Sequence, residues 1–250
     1  MRETRLYHAL RRRLSTSPAL YRLFARTLGN QHLIGPDTGL VLDGFPRSAN
    51  SFVEAAFSVS QAGRGLVLAS HSHAAAQIVD ATRRGLPTVV LYREPDAAVA
   101  SFMEMKPDGF NPRLLLREYA TFYERILPVV EHVALAPFAL STRNFAAVVE
   151  RTNRQFGLDL AVPVVNEVFL EAVARERDAL SRGRVGRPTA YSAVHDAAAL
   201  QGRRDRVSRM RDRVAALADD PSRRRARYAF EAVAAVDEAR EATAASLPGR

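Results

Sequence analysis

Three short apolar runs, Gly39–Asp43, Leu66–Ser70 and Pro87–Tyr92, each give way to a stretch of helical spacing. Strands covered on both faces read as near-continuous apolar runs, and parallel strands need crossover connections long enough to hold a helix. The pattern therefore predicts βαβ units and an α/β fold, a parallel sheet flanked by helices. The first helices are expected over 51–62, over 74–84 and from Pro95, since proline is well tolerated in a first helical turn. A further strand is expected over His132–Pro137. Helices then follow over 143–156, 164–180, 197–217 and 222–245, which makes the C-terminal half mostly helical. Residues 1–30 carry apolar positions such as Leu6, Leu10, Leu14 and Phe24 at helical spacing, with Gly29 and Asn30 as a stop signal. One domain accommodates all of this: an N-terminal helical segment (1–30), an α/β core (38–157) and a helical part (158–250).

Composition narrows the partners. The chain has 250 residues, 47% hydrophobic and 25% charged, enough for one substantial core. It has no cysteine, so disulfides and thiolate metal sites play no part. No apolar stretch approaches the roughly 20 residues of a membrane span, and the basic start MRETRLYHALRRRL lacks the apolar centre of a secretory signal. The expectation is a cytoplasmic protein without a membrane span. The net charge of +9 is almost entirely arginine, because Lys106 is the only lysine, a bias that fits a GC-rich bacterial coding sequence. No nucleic-acid motif accompanies the charge, so nucleic acid is not an expected partner. Any phosphate or sulfate site must instead rely on arginine forks, hydroxyls and backbone amides.

One such site is legible in Gly44-Phe-Pro-Arg-Ser-Ala-Asn-Ser51, between the first strand and its helix. A sharp strand-to-helix turn leaves the first helical amides without internal partners, and with the helix dipole they attract an anion. Arg47 adds charge; Ser48, Asn50 and Ser51 add donors. An ordinary N-cap is the alternative explanation of those polar residues. The loop is not a Walker A motif, since it lacks the Gly-Lys-Ser/Thr ending. A second cluster, Leu91-Tyr-Arg93-Glu-Pro-Asp-Ala-Ala-Val-Ala-Ser101, starts at a strand end and runs into a helix. An arginine and a hydroxyl converging there would suit a terminal phosphate, whereas the plain alternative pairs Arg93 with Glu94 or Asp96.

Together, in this order and each after a strand, the two segments resemble the donor-binding motifs of sulfotransferases that use 3′-phosphoadenosine 5′-phosphosulfate (PAPS). The first is similar to the family's Pro-Lys/Arg-Ser-Gly-Thr-Thr loop for the 5′-phosphosulfate. Pro46, Arg47 and Ser48 match it, Ala49 stands where glycine is usual, and Asn50 and Ser51 take the two threonine positions. Phe52 falls where an aromatic residue often stacks on adenine. The second resembles the 3′-phosphate motif, with Arg93 and Ser101 as its contacts. The resemblance covers residues 38–105 and extends weakly over 141–157. It implies a P-loop-NTPase-like sulfotransferase fold, PAPS as co-substrate and no metal cofactor. The transfer would be an in-line displacement onto a hydroxyl or amine of a small-molecule, glycan or lipid acceptor.

Such a transfer needs a base, and His71 and His73 follow the second strand. The resemblance implies a histidine base in this region without choosing between them, and Glu54 and Glu104 are the fallback carboxylates. Arg182–Ala190 reads as a Gly/Arg/Pro loop; by the same resemblance, Arg184 and Arg187 in it would wrap the 3′-phosphate. Arg47 would stabilise the leaving group. The competing readings are a small-molecule kinase of P-loop type and a catalytically silent relative that binds a partner. The amphipathic helices at both ends could pair two copies into a homodimer.

Overall fold

The computed structural model describes residue 21 and residues 33–105, 109–186 and 197–246. The expected helix over 1–30 therefore lies, Tyr21 apart, outside the described residues, and so does Arg187. Strands β1 (Leu40–Gly44), β2 (Leu68–Ser70), β3 (Thr88–Tyr92) and β4 (Ala134–Pro137) fall within the four expected runs or overrun them by one residue. β4 begins later than expected because Leu127–His132 winds into a 3-10 helix. The strands pair in parallel in the order β2-β1-β3-β4.

The helices that follow them are α1 (Asn50–Ser60), α2 (Ala75–Arg83) and α3 (Pro95–Met103). Then come α4 (Pro112–Ile126), α5 (Phe138–Arg143), α6 (Phe145–Phe156), α7 (Glu167–Val185), α8 (Ala197–Ala215) and α9 (Pro221–Ser246). None of the described helices is long and apolar enough to cross a membrane.

The sheet sorts its side chains by alternation. Val90, Tyr92 and Leu135 face a cluster built from α2, α3, α4, α8 and α9. Val89, Leu91, Ala134 and Ala136 face the opposite cluster, with α1, α6 and α7. The helical C-terminal part thus covers both faces of the sheet. Edge strand β4 leaves carbonyls without a neighbouring strand, and arginines satisfy them: Arg240 Nη1 donates to Val133 O at 2.8 Å and Arg151 Nη1 to Leu135 O at 3.4 Å.

α4 has no counterpart among the helices expected from the sequence, yet it is the hub of one face. Asn111 Oδ1 caps it by accepting from Arg113 N at 3.0 Å, Pro112 opens it, and Leu115, Leu116, Tyr119, Tyr123 and Ile126 are fully buried at helical spacing. The Gly/Arg/Pro loop expected at 182–190 does not begin at Arg182. α7 continues to Val185 and stops at Gly186, whose φ of 71° is the left-handed stop of a helix. Arg182, Gly183 and Arg184 are therefore helical, and Arg184 is held on α1 rather than on a mobile turn.

The strand order positions a site. From β1 the chain moves outward to β2, then returns past β1 to β3, so the connections diverge between β1 and β3. In open parallel sheets that divergence leaves a crevice beyond the carboxyl ends of the strands, where ligands bind.

Candidate functional site

The first wall of the crevice is the turn from β1 into α1. Gly44 is required by close approach: a Cβ there would sit 2.4 Å from the carbonyl oxygen of Leu91 on β3. Phe45 then drops into the core, edge-on to Tyr119 at 5.0 Å and to Phe102 at 6.2 Å, and anchors the turn from below. Asn50 folds back so that its Nδ2 donates to Phe45 O at 3.1 Å. Between these anchors Arg47 and Ala49 take left-handed backbone, with φ of 73° and 78°. Each costs an L-residue about 1–2 kcal/mol, the kind of strain that accumulates at functional sites. No side chain caps α1, and its first turn holds no acidic residue. The amides of Asn50 and Ser51 are thus left for an anion, while those of Phe52 and Val53 donate to Ala49 O, each at 3.0 Å. Among the described residues, the buried Asn50 Oδ1 in the same turn has no hydrogen-bond partner.

The turn from β3 into α3 forms the second wall. Arg93 does not pair with Glu94 or Asp96. Glu94 caps its own helix, accepting from Asp96 N at 3.0 Å and Ala97 N at 2.8 Å, and Asp96 is engaged by Arg223 at 2.6 Å. Arg93 instead reaches across the crevice: Nη1 donates to Arg47 O at 2.9 Å, and the guanidinium lies 3.9 Å from the ring centre of Phe138 at the start of α5. Its own carbonyl accepts from the Tyr119 hydroxyl at 2.5 Å. Ser101, two turns along α3 and buried, accepts from Arg47 Nε at 3.0 Å. The two sequence motifs, far apart in the chain, therefore interlock through Arg47.

Asp43 and the chain leaving β2 build the third wall. Asp43 is fully buried; its Oδ2 accepts from Ser72 N, Ser72 Oγ and His73 N at 3.0, 2.5 and 2.9 Å. This network holds His71 and His73 in left-handed backbone, φ 56° and 50°, so both rings turn into the crevice, 5.4 Å apart. His73 Nδ1 lies 2.9 Å from Gly44 O, a bond that requires the proton on Nδ1 and leaves Nε2 as the basic nitrogen. His71 is more committed: Nε2 is 3.0 Å from Ser51 Oγ, and Nδ1 is 2.9 Å from Glu54 Oε2. That second approach is oblique, a contact between the ring dipole and the carboxylate rather than a linear hydrogen bond. Burial pushes His71 below its ordinary pKa, although Glu54 opposes it. Burial also pushes the Glu54 carboxyl up, but His71, Ser70 and Arg184 outweigh it and hold it at about 2. His71 is therefore neutral and Glu54 ionised near neutral pH, and the Arg184 guanidinium is the countercharge to Glu54.

These walls enclose a cavity of about 410 Å³. It is lined by Pro46, Arg47, Ala49, Asn50, Ser51 and Phe52 from the first turn and by His71 and His73 from the third wall. Phe102, Met105, Phe138 and Arg177 complete it with Thr142. Of the other expected site residues, Ser48 lies buried beneath the turn and Ser101 behind Arg47. Arg184 stands behind Glu54, and Glu104 is turned away, paired with Arg203 and Arg206 of α8. Sequence reasoning missed Asp43, Phe138 and Arg177. Only Asp43 left a signal, a lone carboxylate within an otherwise apolar strand. A larger cavity, about 650 Å³, lies beside β4 between α6 and α9, where Arg151, Asp237, Arg154 and Glu241 are paired with one another. No family model, no curated protein and no solved structure matches this chain.

Proposed function

We propose that this chain is a PAPS-dependent sulfotransferase acting on a hydroxyl or amine of a small-molecule, glycan or lipid acceptor. The observation that carries the reading is the meeting of Arg47, Arg93 and Ser101 over an uncapped helix start at the β1/β3 divergence. Ala49 fits too: it replaces the family's glycine but holds the left-handed backbone that glycine adopts freely.

When bound, PAPS supplies an activated sulfuryl group. In this reading Arg47 and the first-turn amides of α1 bind the 5′-phosphosulfate and stabilise the charge that grows on the bridging oxygen. Arg93 and Ser101 hold the 3′-phosphate, which exchanges the Arg47–Ser101 hydrogen bond for bonds to phosphate oxygens. Phe52 covers the adenine. Of the two histidines, His73 is the better base, because its Nε2 is left as the acceptor while both nitrogens of His71 are engaged. Glu54 is too weak a base to serve, its carboxyl being held at about 2 and locked to Arg184.

Calorimetric titration with 3′-phosphoadenosine 5′-phosphate beside ADP, both without magnesium, tests the donor site. Micromolar binding of the former and far weaker binding of ADP is expected. Equal binding of both, or none of either, would remove the basis for the assignment.

A further inference from the structure

Donor binding leaves one arrangement in the crevice unexplained: the order Ser51 Oγ, His71 Nε2, His71 Nδ1, Glu54 Oε2, with steps of 3.0 and 2.9 Å on either side of the ring. We propose that Ser51, His71 and Glu54 form a nucleophilic triad, and that the chain hydrolyses small carboxylic esters with an apolar acyl or aryl group through an acyl-Ser51 intermediate. A serine hydroxyl becomes a nucleophile when a neutral imidazole accepts its proton and a carboxylate orients that imidazole.

Each part is held for that task. Glu54 Oε1 is fixed by Ser70 Oγ at 2.5 Å and by Arg184, which leaves Oε2 2.9 Å from Nδ1 in an oblique approach that a small ring rotation brings into line. His71 is kept in left-handed backbone by the Asp43 network on the next two residues. Ser51 lies in the first turn of α1 and lines the cavity, so the uncapped amides beside it can stabilise an oxyanion. Phe52, Phe102 and Phe138 give the cavity apolar walls for the acyl or aryl group.

The chemistry closes on these residues. Ser51 Oγ bonds to the ester carbonyl carbon as its proton passes to His71 Nε2. The bond from that carbon to the alcohol oxygen then breaks, and the alcohol leaves with the proton. Water adds to the acyl carbon and gives a proton to Nε2; the carbon–Oγ bond breaks, the acid departs, and the proton returns to Ser51. Glu54 stays ionised throughout and acts as a positioning residue.

This activity is independent of sulfuryl transfer and needs no nucleotide. The test is to incubate the full chain with a fluorophosphonate and map the adduct by peptide mass spectrometry. The Oγ–phosphorus bond forms as fluoride leaves. The expected result is one adduct at Ser51, none in Ser51→Ala, and labelling slowed by about 10²-fold or more in His71→Gln. Labelling should also fall on acidification as His71 gains a proton. The groups facing that ring are Glu54 and Ser51 of α1, Arg184 of α7 and His73 of its own turn. Wild-type protein with a cooperative thermal transition and no adduct at Ser51 overturns the proposal, and so does an adduct elsewhere. Equal labelling rates in wild type and a folded His71→Gln variant overturn it as well, since Ser51 would then react without its base. Slower labelling in Glu54→Gln, together with a shifted pH profile, is the expected sign of positioning; an unchanged rate and profile would remove Glu54 from the triad.

Discussion

The turns from β1 into α1 and from β3 into α3 have the same plan, a buried parallel strand that turns sharply into a helix at the same end of the sheet. They finish it in opposite ways. At β3 the helix start is closed: Glu94 satisfies two first-turn amides, and Pro95 occupies the position where an amide would have no partner. At β1 no side chain of the described residues closes it. The side chain that could cap, Asn50, is folded under the turn, and two residues are held in strained backbone. A closed start stabilises its own helix and presents side chains, here Arg93 and Ser101. An open start gives up that stability and presents backbone. The difference teaches where an anion can be gripped by amides and where it can only be gripped by side chains.

The comparison is broken most severely at Arg47, the side chain that joins the two turns. Under the sulfotransferase reading, Arg47→Ala should reduce turnover by about 10²–10³-fold, the scale of losing one transition-state donor. The dissociation constant for 3′-phosphoadenosine 5′-phosphate should change much less, because Arg93 and the amides remain. Steady-state kinetics beside calorimetry checks this. A variant with intact turnover would leave Arg47 with only the structural task of bonding Ser101.

Acid should loosen the open turn by way of the groups behind it. His71 has a lowered pKa, so its contribution to stability is present above its unfolded value of 6.5 and is lost as pH falls below that value towards its lower folded pKa. Glu54, lowered from 4.5 to about 2, contributes stability that is present above 4.5 and lost as pH falls towards 2. The second loss is about 3 kcal/mol at most. Urea unfolding at successive pH values should show both declines, and Glu54→Gln should lack the lower one. A stability flat between pH 6.5 and 2 would mean these groups are not held as described.

How much of this was open to sequence reasoning depended on whether a feature is local. The strands were legible because a short apolar run between breakers has few other uses. The turn after β1 was legible because Pro, Ser and Asn crowd at a strand end. Arg184 was misread for a local reason too: Gly183 and Gly186 look like breakers, yet only Gly186 ends the helix. The burial of Glu54 was illegible, since it sits at an ordinary helical position and becomes special only through Ser70 and Arg184. The Arg47–Ser101 bond likewise spans 54 residues, and no spacing rule foretells it.

The closed turn should lose modest stability when opened. Glu94→Ala removes both cap bonds and should cost about 1–2 kcal/mol in denaturant unfolding. Nucleotide affinity should fall only slightly, since the side chains α3 presents are still in place. If Glu94→Ala instead raised affinity for inorganic phosphate strongly, the α3 start would be a second anion site masked by its own cap.

The mildest change tests the open turn's strain directly. Ala49 has φ 78° and ψ 13° at the N-cap of α1, and glycine adopts that conformation without the clash of a Cβ. Ala49→Gly should relieve about 1–2 kcal/mol of strain and give back about 0.5–1 kcal/mol through the freer unfolded chain. A net gain between about 0 and 1.5 kcal/mol is therefore expected, opposite in sign to Glu94→Ala, although both substitutions alter a helix cap. Denaturant midpoints at constant slope measure it. A net loss of similar size would mean that the Ala49 methyl, which packs against the cluster under α1, contributes more than the strain removes. The turn would then be held open by apolar packing rather than merely tolerating its backbone, and the distinction between the two turns would lie in the core beneath them.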